Sequence, residues 1–162
     1  MKHRYVVLAL ALALAAVWSL AAAQPPSPHK MSDDPVFSSA YKDQHTALAE
    51  IDLDVLIEAL RSVVETVAGR GSQVQPGSTS PRVRGFERLL LQGMKEMRCR
   101  GGTAPSPIPA QVADRVQAAG AATSLKLDAF DSGRLTALAV RLIEKTPSTR
   151  LCRSVRLDDL TQ

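Results

Sequence analysis

The sequence predicts an all-α fold, a compact bundle of about four helices closed by one disulfide. Three observations carry this expectation. Apolar residues recur three and four positions apart in four separate segments, the period that places them along one face of a helix. Clusters of glycine and proline separate those segments, as turns between packed helices require. No stretch shows the period-two alternation with β-branched residues that marks a strand.

The N-terminus sets the expected compartment. Lys2, His3 and Arg4 form a short basic start, and Val6 to Ala23 is apolar apart from Ser19. Ala21-Ala22-Ala23 places small residues where a signal peptidase cuts, so residues 1–23 read as an export signal. The competing reading is a membrane anchor, since about 18 apolar residues nearly span a bilayer. The cleavage pattern and the helix-breaking Gln24-Pro25-Pro26-Ser27-Pro28 favour the signal, leaving no membrane segment after cleavage. Residues 24–34 are proline-rich and polar and read as a flexible leader, with residues 35–162 as a single helical domain.

Within that domain Ser32 or Asp33 with Pro35 supplies a helix start. Leu48, Ile51, Leu56, Leu60, Val63 and Val67 form the strongest stripe, which Val55, Ile57 and Val64 widen and Gly69-Arg70-Gly71 ends. Ser80-Pro81 opens a second helix with Val83, Phe86, Leu90, Met94 and Met97 in phase, closing near Cys99 ahead of Gly101-Gly102 and three prolines. A third, from Pro109 to Ala122, carries Val112, Val116 and Ala119 and is poor in large apolar residues. Asp131 or Ser132 opens a fourth, with Leu135, Leu138, Leu142 and Ile143 as its buried stripe and Pro147 as its stop. Leu151, Val155, Leu157 and Leu160 follow in a short tail, available for docking.

Cys99 and Cys152 are the only cysteines. In an exported chain an even count makes a disulfide the default, with a disulfide-linked dimer as the alternative. Zinc needs more ligands than His29 and His45 add, and neither lies near a cysteine in sequence. The chain contains no asparagine, which excludes N-glycosylation.

Catalytic patterns are sparse. A nucleophile triad needs a histidine as base, but His29 falls in the leader and His45 on or beside the first helix. Asp52 with Asp54, and Asp158 with Asp159, lack a third ligand and read as solvated acids, while Met94 and Met97 read as core. No cofactor, metal or enzymatic activity is expected. A hormone precursor would carry dibasic processing sites, and no two Lys or Arg residues are adjacent. Without the signal the chain is only weakly basic and keeps Phe37, Tyr41, Phe86 and Phe130 as its sole aromatics outside the histidines, a poor set for nucleic acid.

Charge is nevertheless uneven. Residues 24–69 hold 3 basic and 8 acidic groups, whereas residues 70–115 hold 8 basic and 3 acidic groups. The commoner arrangement for such asymmetry is complementary solvated faces, with arginines paired to Asp52, Asp54 and Glu58. The sharper one is a recognition surface built from Arg82, Arg84, Arg88, Arg98 and Arg100, since the planar arginine fork binds carboxylates bidentately.

The export signal ending at Ala23, the four helical patterns and the Cys99–Cys152 pair together resemble the small salivary complement inhibitors of anopheline mosquitoes, the albicin and anophensin group. The resemblance is architectural, spans the mature chain, and is shared in outline with helical cytokines and periplasmic bundles. It implies a secreted, extracellular protein that binds a host protein and blocks a plasma cascade, either the alternative complement convertase or the kallikrein–kinin contact system. The alternative class is a carrier whose bundle opens around an apolar ligand. Between the two stands the Ala-rich third helix, which either packs tightly or leaves a cavity.

The Cys99–Cys152 bond closes a loop of about 54 residues. Intact-mass analysis is expected to show the loss of two hydrogens and tryptic mapping to link the two cysteines. Cys99→Ser is expected to cost about 2–4 kcal/mol in urea unfolding.

Overall fold

In the computed structural model, which describes residues 30–70, 80–99 and 108–162, there are six α-helices, four of which pack around a fifth. The helices are α1 (Pro35–Ala47), α2 (Leu53–Gly69), α3 (Pro81–Cys99), α4 (Pro109–Ala122), α5 (Ala129–Lys145) and α6 (Ser148–Arg153). Single 3-10 segments, Met31–Asp33 and Leu157–Thr161, lie at the two ends. Residues 1–23, read above as an export signal, leader residues 24–29 and Arg100 lie outside the described residues. No helix among the described residues is long and apolar enough to cross a membrane.

The central element is α5. Sequence periodicity gives it a one-sided stripe of leucines, but the structure also buries Asp131, Ser132, Gly133, Thr136, Ala137, Ala139 and Val140. It packs against α1, α2, α3 and α4, so almost its whole circumference is interior. Asp128 caps its start by accepting the Asp131 N–H at 2.8 Å. Small side chains on one face let α1 come close: a methyl group added at Gly133 would sit 2.6 Å from the Phe37 carbonyl oxygen and 3.0 Å from the Tyr41 nitrogen. Large side chains on the other face, Leu135, Leu138, Leu142 and Ile143, join Leu56, Leu60, Phe86, Leu90 and Met94 in the core. Each such burial contributes about 1.5–3 kcal/mol relative to exposure.

Three boundaries differ from the sequence expectation: α5 starts at Ala129, capped by Asp128, and not at Asp131 or Ser132. Asp34, not Ser32 or Asp33, caps α1, accepting the Val36 N–H at 2.7 Å. The leader, expected to run loose through residue 34, is helical from Met31. The long stripe from Leu48 to Val67 is also not one helix: α1 ends at Ala47, Leu48 folds inward as its cap, and α2 begins at Leu53. Period alone hides the break, because Leu48 and Ile51 still reach the core from a turn. The turn is fastened by α5. The Arg141 guanidinium donates twice to the His45 carbonyl, at 3.1 and 2.8 Å, and Lys145 Nζ donates to the Ile51 carbonyl at 2.6 Å. These cations satisfy backbone acceptors that a helix end leaves unpaired. Val55, expected to widen the stripe of α2, faces outward instead, 51% exposed.

The Ala-rich α4 closes tightly. Val112, Ala113, Val116, Ala119 and Gly120 are buried, and a Cβ at Gly120 would lie 2.7 Å from Leu127. The tail is more ordered than a docking strand: α6 and the second 3-10 segment bury Leu151, Leu157 and Leu160, whereas Val155 stands 77% exposed. Cys99 at the end of α3 bonds Cys152 in α6, with Cα atoms 5.9 Å apart. The bundle is therefore all-helical with one disulfide, but with six helices among the described residues where the pattern indicated about four.

Two glycines separate packing from backbone freedom. Gly133→Ala pushes α1 off α5 and is expected to destabilise by about 1–3 kcal/mol in urea unfolding. Gly69→Ala, with nothing within 4 Å of the added methyl, is expected to be neutral or slightly stabilising.

Candidate functional site

The basic stretch of the sequence folds as α3, whose start is capped by Ser80 Oγ accepting the Arg82 N–H at 3.3 Å. Val83, Phe86, Leu90 and Met94 turn one face inward. That orientation sends Arg84, Arg88, Leu91 and Lys95, spaced by four, three and four, toward the tail. Between this face and residues 154–158 run two clefts. One, of about 490 Å³, is lined by Arg61, Arg84, Glu87, Arg88 and residues 155–158; the other, of about 510 Å³, takes in Arg88, Leu91, Lys95, Cys99, Ser154 and Val155. Arg88 and Val155 line both, so the clefts form one groove with an exposed valine at its middle. Lys95 Nζ donates to the Ser154 carbonyl at 2.9 Å and sets the spacing of the two walls.

Arg61 builds the floor of one end. Its guanidinium donates to Glu87 at 2.8 Å, to Glu58 at 2.8 Å and to Asp158 at 3.0 Å, joining α2, α3 and the C-terminal 3-10 segment. Burial opposes its charge, but the hydrogen bonds to Asp158 and Glu87 outweigh that and hold its pKa above the ordinary arginine value. The other wall is shaped by Asp159, which accepts the N–H groups of Val155 and Arg156 at 2.7 and 2.8 Å. Those two bonds, Arg156 first, hold its carboxyl below the ordinary aspartate value. Their stabilisation is therefore complete above the ordinary value and is lost as pH falls through the lowered one.

The arginines singled out from sequence divide three ways. Arg84 and Arg88 line the groove, exposed. Arg82 is exposed on α3 outside the lining. Arg98 is half-buried and donates to Ser148 Oγ at 3.1 Å, tying α3 to α6 beside the disulfide. The fifth, Arg100, lies outside the described residues. The intramolecular pairing with Asp52, Asp54 and Glu58 is not formed: Glu58 bonds Arg61, and no ion pair among the described residues involves Arg82, Arg84, Arg88 or Arg156. All 16 acidic residues of the chain fall within the described residues, so the remaining segments hold no acidic side chain to pair with them.

Lys95, Val155 and Arg156 are site residues that sequence reasoning missed. The sequence offers no sign of Val155: it stands four residues after Leu151, the spacing of a shared helical face, and only the break after α6 leaves it exposed. The other polar candidates are absorbed by the scaffold. His45 stacks on Tyr41 at 5.3 Å and lies 3.5 Å from the Glu144 carboxylate, between α1 and α5. Asp52 precedes α2 as its cap residue, and Asp158 bonds Arg61. Met94 is core and Met97 packs against it. The deepest charge, Asp131, is 1% exposed and forked by Arg70, bonding that joins the end of α2 to the start of α5.

Arg61→Met removes three charged hydrogen bonds at once. It is expected to lower stability by about 1–2 kcal/mol in urea and to speed hydrogen exchange at Leu157 and Leu160 selectively.

No protein-family model matches this chain, no curated protein matches it significantly in sequence, and no solved structure matches its fold significantly, so the groove is read from its own chemistry.

Proposed function

We propose that the protein is an exported binding protein that presents the Arg84, Arg88 and Arg156 face of its groove to an acidic surface on an extracellular partner. One observation carries this reading: these guanidinium groups are exposed and none forms an ion pair, although all 16 acidic residues lie among the described residues and Asp159 stands near Arg156. Unpaired arginines on a rigid frame bind carboxylates in a fixed fork and lose little freedom in doing so. The disulfide fits an oxidising compartment, which supports an extracellular site of action. In this reading inhibition comes from occupying the partner's surface, and the protein needs no active site of its own.

The salivary-inhibitor resemblance nominates the partner as a host plasma protein, first the alternative complement convertase and second the contact system. The cleft that Ala118, Ala119 and Ala122 line against α3 is about 250 Å³, below the usual size of a small-ligand pocket, which favours the binding-protein reading over the carrier. Since Arg84 and Arg88 form no ion pair within the chain, reversing them separates recognition from folding. In an alternative-pathway lysis assay the wild-type protein is expected to inhibit. The Arg84→Glu, Arg88→Glu double variant is expected to be weaker by about tenfold or more, most at low salt, with an unchanged unfolding midpoint. Equal inhibition by both proteins rejects the arginine face. No inhibition by the wild type rejects the convertase, and a kallikrein-generation assay on the same pair then tests the contact system.

A further inference from the structure

We infer that the groove takes an extended acidic peptide segment with an apolar side chain next to its carboxylates, seated on Val155. This deepens the proposed function and rests on its premise that the groove is the binding face. The inference starts from Val155, which is 77% exposed although the nearby apolar residues of its segment, Leu151, Leu157 and Leu160, are at most 2% exposed. It is held there by structure. Its N–H is fixed by Asp159 at 2.7 Å, and the preceding carbonyl is fixed by Lys95 at 2.9 Å. An apolar side chain braced outward, in the middle of a groove, is an anchor position for another apolar group.

The charges around it set the rest of the ligand. Arg84 and Arg88 stand on the α3 wall and Arg156 on the tail wall, all exposed and without a carboxylate partner among the described residues. All three line the first cleft, so their demand is for carboxylates on that side of the apolar contact. From Arg84 to Lys95 the helix rises about 16 Å, at about 1.5 Å per residue. An extended strand covers that length with about five residues.

A uniformly charged polyanion such as a sulfated glycan fits less well. Glu87 and Asp158 line the same groove beside Arg61, and Glu96 lines it beside Lys95 while pairing with Arg115 at 3.0 Å. Evenly spaced sulfates would meet these carboxylates as well as the arginines, whereas a peptide can place its acids opposite the arginines alone. Nor does a glycan offer an apolar side chain to cover Val155.

The test uses the full disulfide-bonded protein and no plasma component, so its result is independent of whether the complement or contact-system target is right. A random heptapeptide library is selected on the wild-type protein, and the enriched peptide is synthesised with a fluorescent label for anisotropy titration. The expected enrichment is two or more acids on one side of an apolar residue. The expected affinity loss is about tenfold or more for Arg84→Glu with Arg88→Glu, and again for the surface variant Val155→Asp, with circular dichroism unchanged. Replacing the peptide's apolar residue by serine is expected to mimic Val155→Asp. Enrichment of uncharged or basic peptides, or of peptides that bind both variants as well as wild type, overturns the inference. So does a heparin oligosaccharide that displaces the peptide and binds Val155→Asp and wild type equally, which would make the groove a polyanion site.

Discussion

The architecture depends on how closely α1 can lie against α5. The backbone of Phe37 and Tyr41 passes within reach of Gly133, at a distance that leaves no room for a methyl group. Everything else around the central helix follows from that approach. Once α1 is seated, the end of α1 comes under Arg141 and Lys145, which hold the turn into α2 by its carbonyls. That turn directs Leu56, Leu60 and Val64 into the same core as Leu138 and Leu142. The opposite end of α2 is then bound by Arg70 to Asp131, an ion pair that one partner brings to the surface while the other is sealed inside. Removing Arg70 would leave the buried Asp131 carboxylate unmatched, whereas removing Asp131 would leave an exposed guanidinium that still has Asp128 at 3.6 Å, so the cost of breaking the pair falls on the Asp131 side.

The helical class and the disulfide were legible because both rest on strong local rules. Val83 and Phe86, three apart, share a face with Leu90 and Met94 in a helix but not in a strand, and two cysteines in an oxidising setting have one intramolecular pairing. The burial of Ser132, Gly133 and Thr136 was not legible, because small polar residues read as surface unless a neighbour is known to approach them. The break at residues 48–52 escaped for a related reason. Leu48 and Ile51 are apolar and in phase, and only the cations supplied from α5, about 90 positions later, show that the backbone there is a turn. Where a carbonyl finds its donor is a tertiary fact, and periodicity is blind to it.

The candidate site was half legible. Arg84 and Arg88 stood out by charge bias, and their common face follows from spacing by four. Arg156 and Val155 did not, because a six-residue helix and a 3-10 turn give too short a pattern to assign an inward phase. Arg98 was grouped with the surface on charge alone, yet it spends a hydrogen bond on Ser148 across from the disulfide. A run of like charges on one helix thus contains both scaffold and recognition residues, and only the packing of the facing segment sorts them.

That facing segment explains why the groove is there at all. The tail has no long helix to pack by its own periodicity, so it is fastened from outside by devices of different chemistry, three of which border the groove. The disulfide ties α6 to the end of α3, Lys95 takes the Ser154 carbonyl, and Arg61 takes Asp158. The last of these consumes Glu58, Glu87 and Asp158 on a single guanidinium, which removes from the neighbourhood the very carboxylates that could have neutralised Arg84 and Arg88. The surplus positive charge on the groove is therefore a consequence of how the wall is held in place. A surface left in that state gains more from an external carboxylate than a neutralised one would, because no internal pair has to be broken before the new one forms.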